Sequence, residues 1–119
     1  MLGTMTESTE LHPEDRKIVT LARSARARNG VPEGAAVRDE TGRTYVAGTV
    51  TLDSLQLSAL RTAVAMAVAS GARSLEAAAV VTTADHLPPE DRSAVTDLGG
   101  PTPIRSSRAS GPIGRTAPR

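Results

Sequence analysis

The sequence predicts an α/β domain in which helices cover both faces of a small mixed sheet, and three observations lead there. First, "EGAAVRDETGRTYVAGTV" sets two short runs of small and β-branched residues, 34–38 and 44–50, on either side of the polar turn "DETG", the pattern of an antiparallel hairpin. Second, "SLEAAAVVTT" (residues 74–83) is a nearly continuous apolar run of strand length, as expected for a strand covered on both faces. Third, "SALRTAVAMAVASGA" (residues 58–72) lies between them and reads as a helix built from small apolar side chains. Hairpin, helix and buried strand in that order suit a crossover unit.

Each element has its own signals. Residues 1–11 carry Ser, Thr and Glu without apolar periodicity and read as a flexible lead-in. A helix opens at Pro13, whose missing N–H costs nothing in the first turn, and Glu14 and Asp15 sit at its positive end. Ile18, Leu21, Ala22 and Ala25 follow helical spacing, and Asn29-Gly30 supplies a left-handed stop. The Ala-rich helix is expected to start between Asp53 and Ser58, capped by Asp53 or Ser54, and to end near Ala69 or Ser70 with Gly71 beyond. "LPPEDRSAVTDLGG" gives a further helix, with Pro88 or Pro89 in its first turn and Gly99-Gly100 ending it. "PTPIR" can add a last strand, which its prolines confine to an edge. The domain is thus drawn over residues 12–105, followed by a Ser/Gly/Pro/Arg-rich tail over residues 106–119 that is expected to be disordered.

Composition narrows the function classes. The 119 residues include no Phe, no Trp and a single Tyr, so Leu, Val, Ile and Ala must fill the core and backbones must approach closely. A net charge of +1 argues against a generally basic, nucleic-acid-coating protein. The absence of Cys removes disulfides, thiolate catalysis and every Cys-ligated zinc or iron–sulfur site. No run approaches the roughly 18 apolar residues of a membrane span, and the polar, acidic start lacks the plan of a signal peptide. A cytoplasmic location is the resulting expectation. So small a core also gains from burying apolar area in an oligomer, either a dimer or a tetramer.

Several of these segments together resemble the cytidine deaminases. "VPEGAAVRDETGRTY" is similar to their first hairpin, "LRTAVAMAVASGA" to their C-A-E-R-T-A helix, and "LEAAAVVT" to the strand after it. The resemblance covers roughly residues 17–97 in order. It implies a three-layer α/β/α fold, usually assembled as a homotetramer. It also implies a zinc ion held by two Cys of a P-C-x-x-C helix start and one Cys or His of the preceding helix, with a Glu that moves protons for the attacking hydroxide.

Aligning the R-T-A blocks puts Ser58 at the first metal-ligand position and Leu60 at the glutamate, while Pro89 and Arg92 match the two remaining ligands. The family's N-x-E, which holds the ribose, falls near Thr49 and Thr51. Metal coordination brings the pKa of water from about 15.7 to about 7, roughly 12 kcal/mol of proton affinity. A hydroxyl, a proline ring and a guanidinium do not supply that, and Leu60 has no proton to give. No metal and no cofactor is therefore expected, and no catalytic residue is assigned.

His12 precedes a helix at the polar edge and reads as solvated. His86, in "TADHLPPED" with Asp85, Glu90 and Asp91 nearby, reads as part of a helix-capping surface loop or, with those acids, as a ligand site for a divalent ion or an amine on the side that would face the family's site. Arg61, at the start of an apolar helix, either anchors a carbonyl or a carboxylate or binds an anion. Arg105, Arg108, Arg115 and Arg119 follow the last acid, Asp97; with no aromatic to stack a base, they read better as a solubilising tail than as an RNA contact.

The leading expectation is a catalytically inactive deaminase-like protein acting as an oligomeric binding or scaffold protein, with a small nucleoside-like ligand allowed near Thr49, Thr51 and His86. The rivals are an active cytidine deaminase-type hydrolase with a non-standard site and a small RNA-associated protein.

Overall fold

A computed structural model describes residues 11–106, so the expected lead-in, apart from Leu11, and the expected tail, apart from Ser106, lie outside the described residues. In chain order the elements are α1 (Pro13–Asn29), β1 (Gly34–Asp39), β2 (Thr44–Gly48), β3 (Val50–Leu52), β4 (Leu55–Leu57), α2 (Ala59–Ala69), β5 (Leu75–Val81), α3 (Pro89–Asp97) and β6 (Ile104–Ser106). The main sheet runs β2-β1-β5-β6; β1 is antiparallel to both neighbours and β5 is parallel to β6, which makes the sheet mixed.

Side chains alternate across the pleat, and the two faces serve different helices. Ala36, Ala77, Ala79 and Val81 meet Ile18, Val19 and Ala22 of α1. Ala35, Val37, Ala47, Ala78 and Val80 meet Ala59, Leu60, Ala63, Val64 and Ala67 of α2, together with Val95 of α3 and Leu87 of the loop before it. The result is three layers, α/β/α, as the sequence predicts.

The first helix begins at Pro13 and closes on Gly30 in the left-handed region, as its residues foretell. Its buried stripe differs by one position: Val19 is buried, whereas Leu21 is 40% exposed. The stripe through Ile18, Ala22 and Ala25 takes in Val19 on one flank, and Leu21 falls on the other flank, toward solvent. A larger difference follows β2. Asp53 and Ser54 do not cap α2; they form the turn of a separate two-stranded hairpin, β3–β4, in which Val50 pairs with Leu57 and Leu52 with Leu55. The helix start moves on to Ser58, whose hydroxyl accepts the Arg61 N–H. Among the described residues, no helix is long and apolar enough to cross a membrane.

Two details fix how the layers sit. At the crossing of α1 and β1, a Cβ built on Gly34 would overlap the carbonyl oxygen of Ala22 and come within 2.8 Å of the Arg26 nitrogen. Only glycine lets the strand lie this close to the helix backbone. On β5, the register passes from Arg38–Ala77 to Asp39–Leu75, so Glu76 is the extra residue of a bulge. The bulge turns Leu75 into the α2 face and leaves Glu76 beside Arg38, whose guanidinium also reaches Asp15 at 3.2 Å and so ties the sheet to the first turn of α1.

The β1–β2 turn is organised by a buried carboxylate. Asp39 is 1% exposed; its Oδ1 accepts from the Thr41 N–H, the Thr41 hydroxyl and the Arg43 N–H, and its Oδ2 accepts from the Tyr45 hydroxyl at 2.9 Å. Gly42 completes the turn at φ 91°. Burial alone would raise the Asp39 pKa, but the hydrogen bonds outweigh it and hold the carboxyl at about 2. The same bond pushes the Tyr45 phenol upward.

Two outcomes follow from this packing. Gly34→Ala is expected to cost about 1–3 kcal/mol in urea unfolding, because neither the Ala22 carbonyl nor the β1 backbone can move aside cheaply; an unchanged midpoint would mean the layers are not in contact there. For Asp39, the folded pKa of about 2 lies below the ordinary value of 3.8, so its contribution is complete above that ordinary value and is lost as pH falls through the folded one. The urea midpoint should therefore drop between about pH 4 and pH 2, and Asp39→Asn should flatten that part of the profile.

Candidate functional site

The site is built from two helix N-termini on the same side of the sheet. At the start of α2, Ser58 is the N-cap, Ala59 and Leu60 form the first turn facing the sheet, and Arg61 is the third helical residue. At the start of α3, Pro88 is the N-cap, Pro89 and Glu90 open the helix, and Asp91 is its third residue. Prolines at both positions fix φ for helix entry where no N–H is needed.

Asp91 is the residue that joins the two helices. Its Oδ1 accepts from the Ser58 hydroxyl at 2.9 Å and from Arg61 Nε at 3.1 Å, while Ser58 Oγ accepts from the Arg61 backbone N–H at 3.1 Å. The carboxylate is 1% exposed and the Arg61 side chain 34% exposed. Among the described residues Asp91 Oδ2 is a buried oxygen without a hydrogen-bond partner. The N-terminal ends of α2 and α3 meet at this carboxylate. Of the two readings of Arg61, the structure gives the anchor to a carboxylate.

The other sequence-predicted residues fall as follows. Leu60 is wholly buried in the cluster with Ala35, Val37 and Val80. Pro89 and Arg92 are both exposed, and Arg92 Nη1 donates to the Leu87 carbonyl at 2.9 Å. Thr49 is half-buried and engaged by Glu33, its Oγ1 accepting the Glu33 N–H at 3.0 Å. Thr51 lies exposed on β3, and His86 lies exposed on the loop after β5, as His12 does before α1. Among the described residues, no hydrogen bond or ion pair joins Thr49, Thr51 or His86 to Ser58, Arg61 or Asp91.

The partner of Ser58 on α3 is thus Asp91, which the sequence reading placed at the start of this helix and among the acids near His86, but not opposite Ser58. A signal for it existed. Val95 is the core residue of α3, and a residue four before it shares its face, so the buried stripe passes through Asp91 and leaves Arg92 outside.

The donor set does not fit a zinc ion. A structural or catalytic zinc site takes three or four Cys, His or carboxylate ligands in a tetrahedron. Here Ser58 Oγ and Asp91 Oδ1 are spent on each other, and a guanidinium stands 3.1 Å from that oxygen, where a dication would be repelled. Among the described residues, no three His, Cys, Asp or Glu side chains are grouped to hold a metal.

Comparison with known proteins bears on this geometry. The profile described as cytidine deaminase-like matches residues 11–111. The chain is similar to the cytidine deaminase of Burkholderia pseudomallei, with a TM-score of 0.62 and 26% identity over 71% of this chain and 76% of that one. It is also similar to the cytidine deaminase of Mycobacterium leprae, with a TM-score of 0.58 and 27% identity over 72% of this chain and 81% of that one. A search of curated proteins returns no match. On the strength of a profile that spans most of its length and of a shared three-layer architecture, the chain belongs to the cytidine deaminase-like family.

Proposed function

We propose that this chain is a catalytically inactive member of its family that works as an oligomeric binding or scaffold protein. The observation that carries the reading is the state of the site: an ion pair and a hydroxyl occupy the meeting point of α2 and α3, and Leu60 fills the core at the family's glutamate position. Hydrolytic deamination needs an ionised water and a group that moves its proton. Neither Ser58, engaged with Asp91, nor Leu60 offers either function.

The binding role has support from the surface. Leu52 and Leu55 at the tip of β3–β4 and Met66 and Val68 on α2 are large apolar side chains left 40% exposed or more. A two-stranded hairpin is marginal by itself, and apolar area of this kind is stabilised when a second copy covers it. In this reading the assembly is a dimer or tetramer in the cytoplasm. Of the positions expected near a nucleoside-like ligand, Thr51 and His86 keep exposed side chains, whereas Thr49 is held by Glu33.

The decisive experiment measures metal content and ammonia release from cytidine on the same purified sample, with light scattering after size exclusion. We expect sub-stoichiometric zinc, no turnover and a mass above one chain. Stoichiometric zinc with turnover would sink the inactive reading, a clean monomer the oligomeric one, and salt-sensitive RNA binding lost on deleting residues 107–119 would point to the tail instead. Leu60→Glu supplies an independent check. Placing a carboxylate in this apolar cluster should cost on the order of 3–5 kcal/mol and should not bring activity; a variant as stable as the parent would show that position 60 opens onto a solvated pocket.

A further inference from the structure

We infer that Ser58, Asp91 and Arg61 form a metal-free cross-link between the N-termini of α2 and α3, with the Arg61 guanidinium supplying the positive charge that a zinc ion supplies in the family's metal site. The geometry has the form of a bridge. One partner, Asp91, belongs to α3; the other two, Ser58 and Arg61, belong to α2 and contact each other as well as the carboxylate. No other salt bridge among the described residues joins two helices; Arg38 with Asp15 and Glu76 ties strand to helix and strand to strand.

The bridge sits where it matters for α3. This helix packs chiefly against α2 and only weakly against the sheet. Its buried residues are Asp91 and Val95, so half of what it commits to the interior is the carboxylate itself. Among the described residues that carboxylate has no cation in contact besides Arg61, and its Oδ2 has no donor. A buried charge in this state depends on its one ion pair and on the two helix ends pointing at it. Neutrality is preserved within the cluster, one carboxylate against one guanidinium. A metal is thereby made unnecessary for joining the two helices.

Thermal unfolding of the full chain tests this with Arg61→Leu, Asp91→Leu and the double variant, each with and without a chelator or added zinc. Each single variant leaves one charge without its partner and should lower the midpoint by at least about 5 °C. The double variant should recover at least half of that loss, since a pair replaced by apolar groups leaves no stranded charge. The parent's midpoint should not move with chelator or zinc. If both single variants fail to fold, cooperative unfolding of the double variant carries the same support, and failure of all three overturns the inference. Additive losses in the double variant, or a chelator-sensitive parent, also overturn it. The inference stands apart from the functional reading: turnover with a coupled pair sinks only the latter, and an uncoupled pair without turnover sinks only the former.

Discussion

A core without Phe or Trp has to be thin, and the rest of this structure depends on that constraint. The central strands offer mainly alanine and valine to both faces: Ala35, Ala36 and Val37 from β1, and Ala77, Ala78, Ala79 and Val80 from β5. Dispersion falls away within a fraction of an ångström of gap, so layers lined by such short side chains gain cohesion only when helix and strand backbones nearly touch. Gly34 against Ala22 is the extreme case, where even a methyl group has no room. The larger side chains, Ile18, Leu60, Leu75 and Leu87, then fill the remaining space around the alanine-lined centre.

Close layers also bring polar groups from different elements within bonding reach, and the two buried acids show two ways of meeting the cost. Among the described residues Asp39 has no ion pair; it is solvated by four donors from its own turn and from Tyr45, which is why its pKa falls despite burial. Asp91 has two donors on one oxygen and none on the other, and relies on the charge of Arg61. The first arrangement is local and stabilises a hairpin. The second is long-range and joins helices thirty residues apart in sequence. Loss of a donor is therefore graded at Asp39 and abrupt at Asp91, where a single contact carries the counter-charge.

Much of this was legible in the chain itself. Pro13, Gly30, Gly42 and the run 74–83 act through local chemistry, and local chemistry can be read from neighbours in sequence. The β3–β4 hairpin was missed because Asp53-Ser54 serves equally well as a helix cap or as a turn; the choice depends on whether residues 50–52 and 55–57 pair, which is not a local property. Arg92 and Asp91 are adjacent, so alignment by spacing to a family motif turns on a single residue, whereas the helical face that holds Val95 separates them by 100°. The family pattern points to these two helix ends, and the periodicity of α3 names which acid enters.

Leu60 shows what an apolar side chain contributes at the position that the family pattern gives to a glutamate. A glutamate that moves protons must face a solvated cleft or a bound substrate, and it withholds its position from the core. Leucine there buries an apolar side chain worth about 1.5–3 kcal/mol. In a domain with few large apolar residues that is a sizeable share of its marginal stability. Glu at position 60 removes that contribution and strands a charge, and a thiolate at position 58 removes the hydroxyl that donates to Asp91 between α2 and α3. The packing of these helix ends and the residue types of the family's site therefore call on the same few positions in opposite directions.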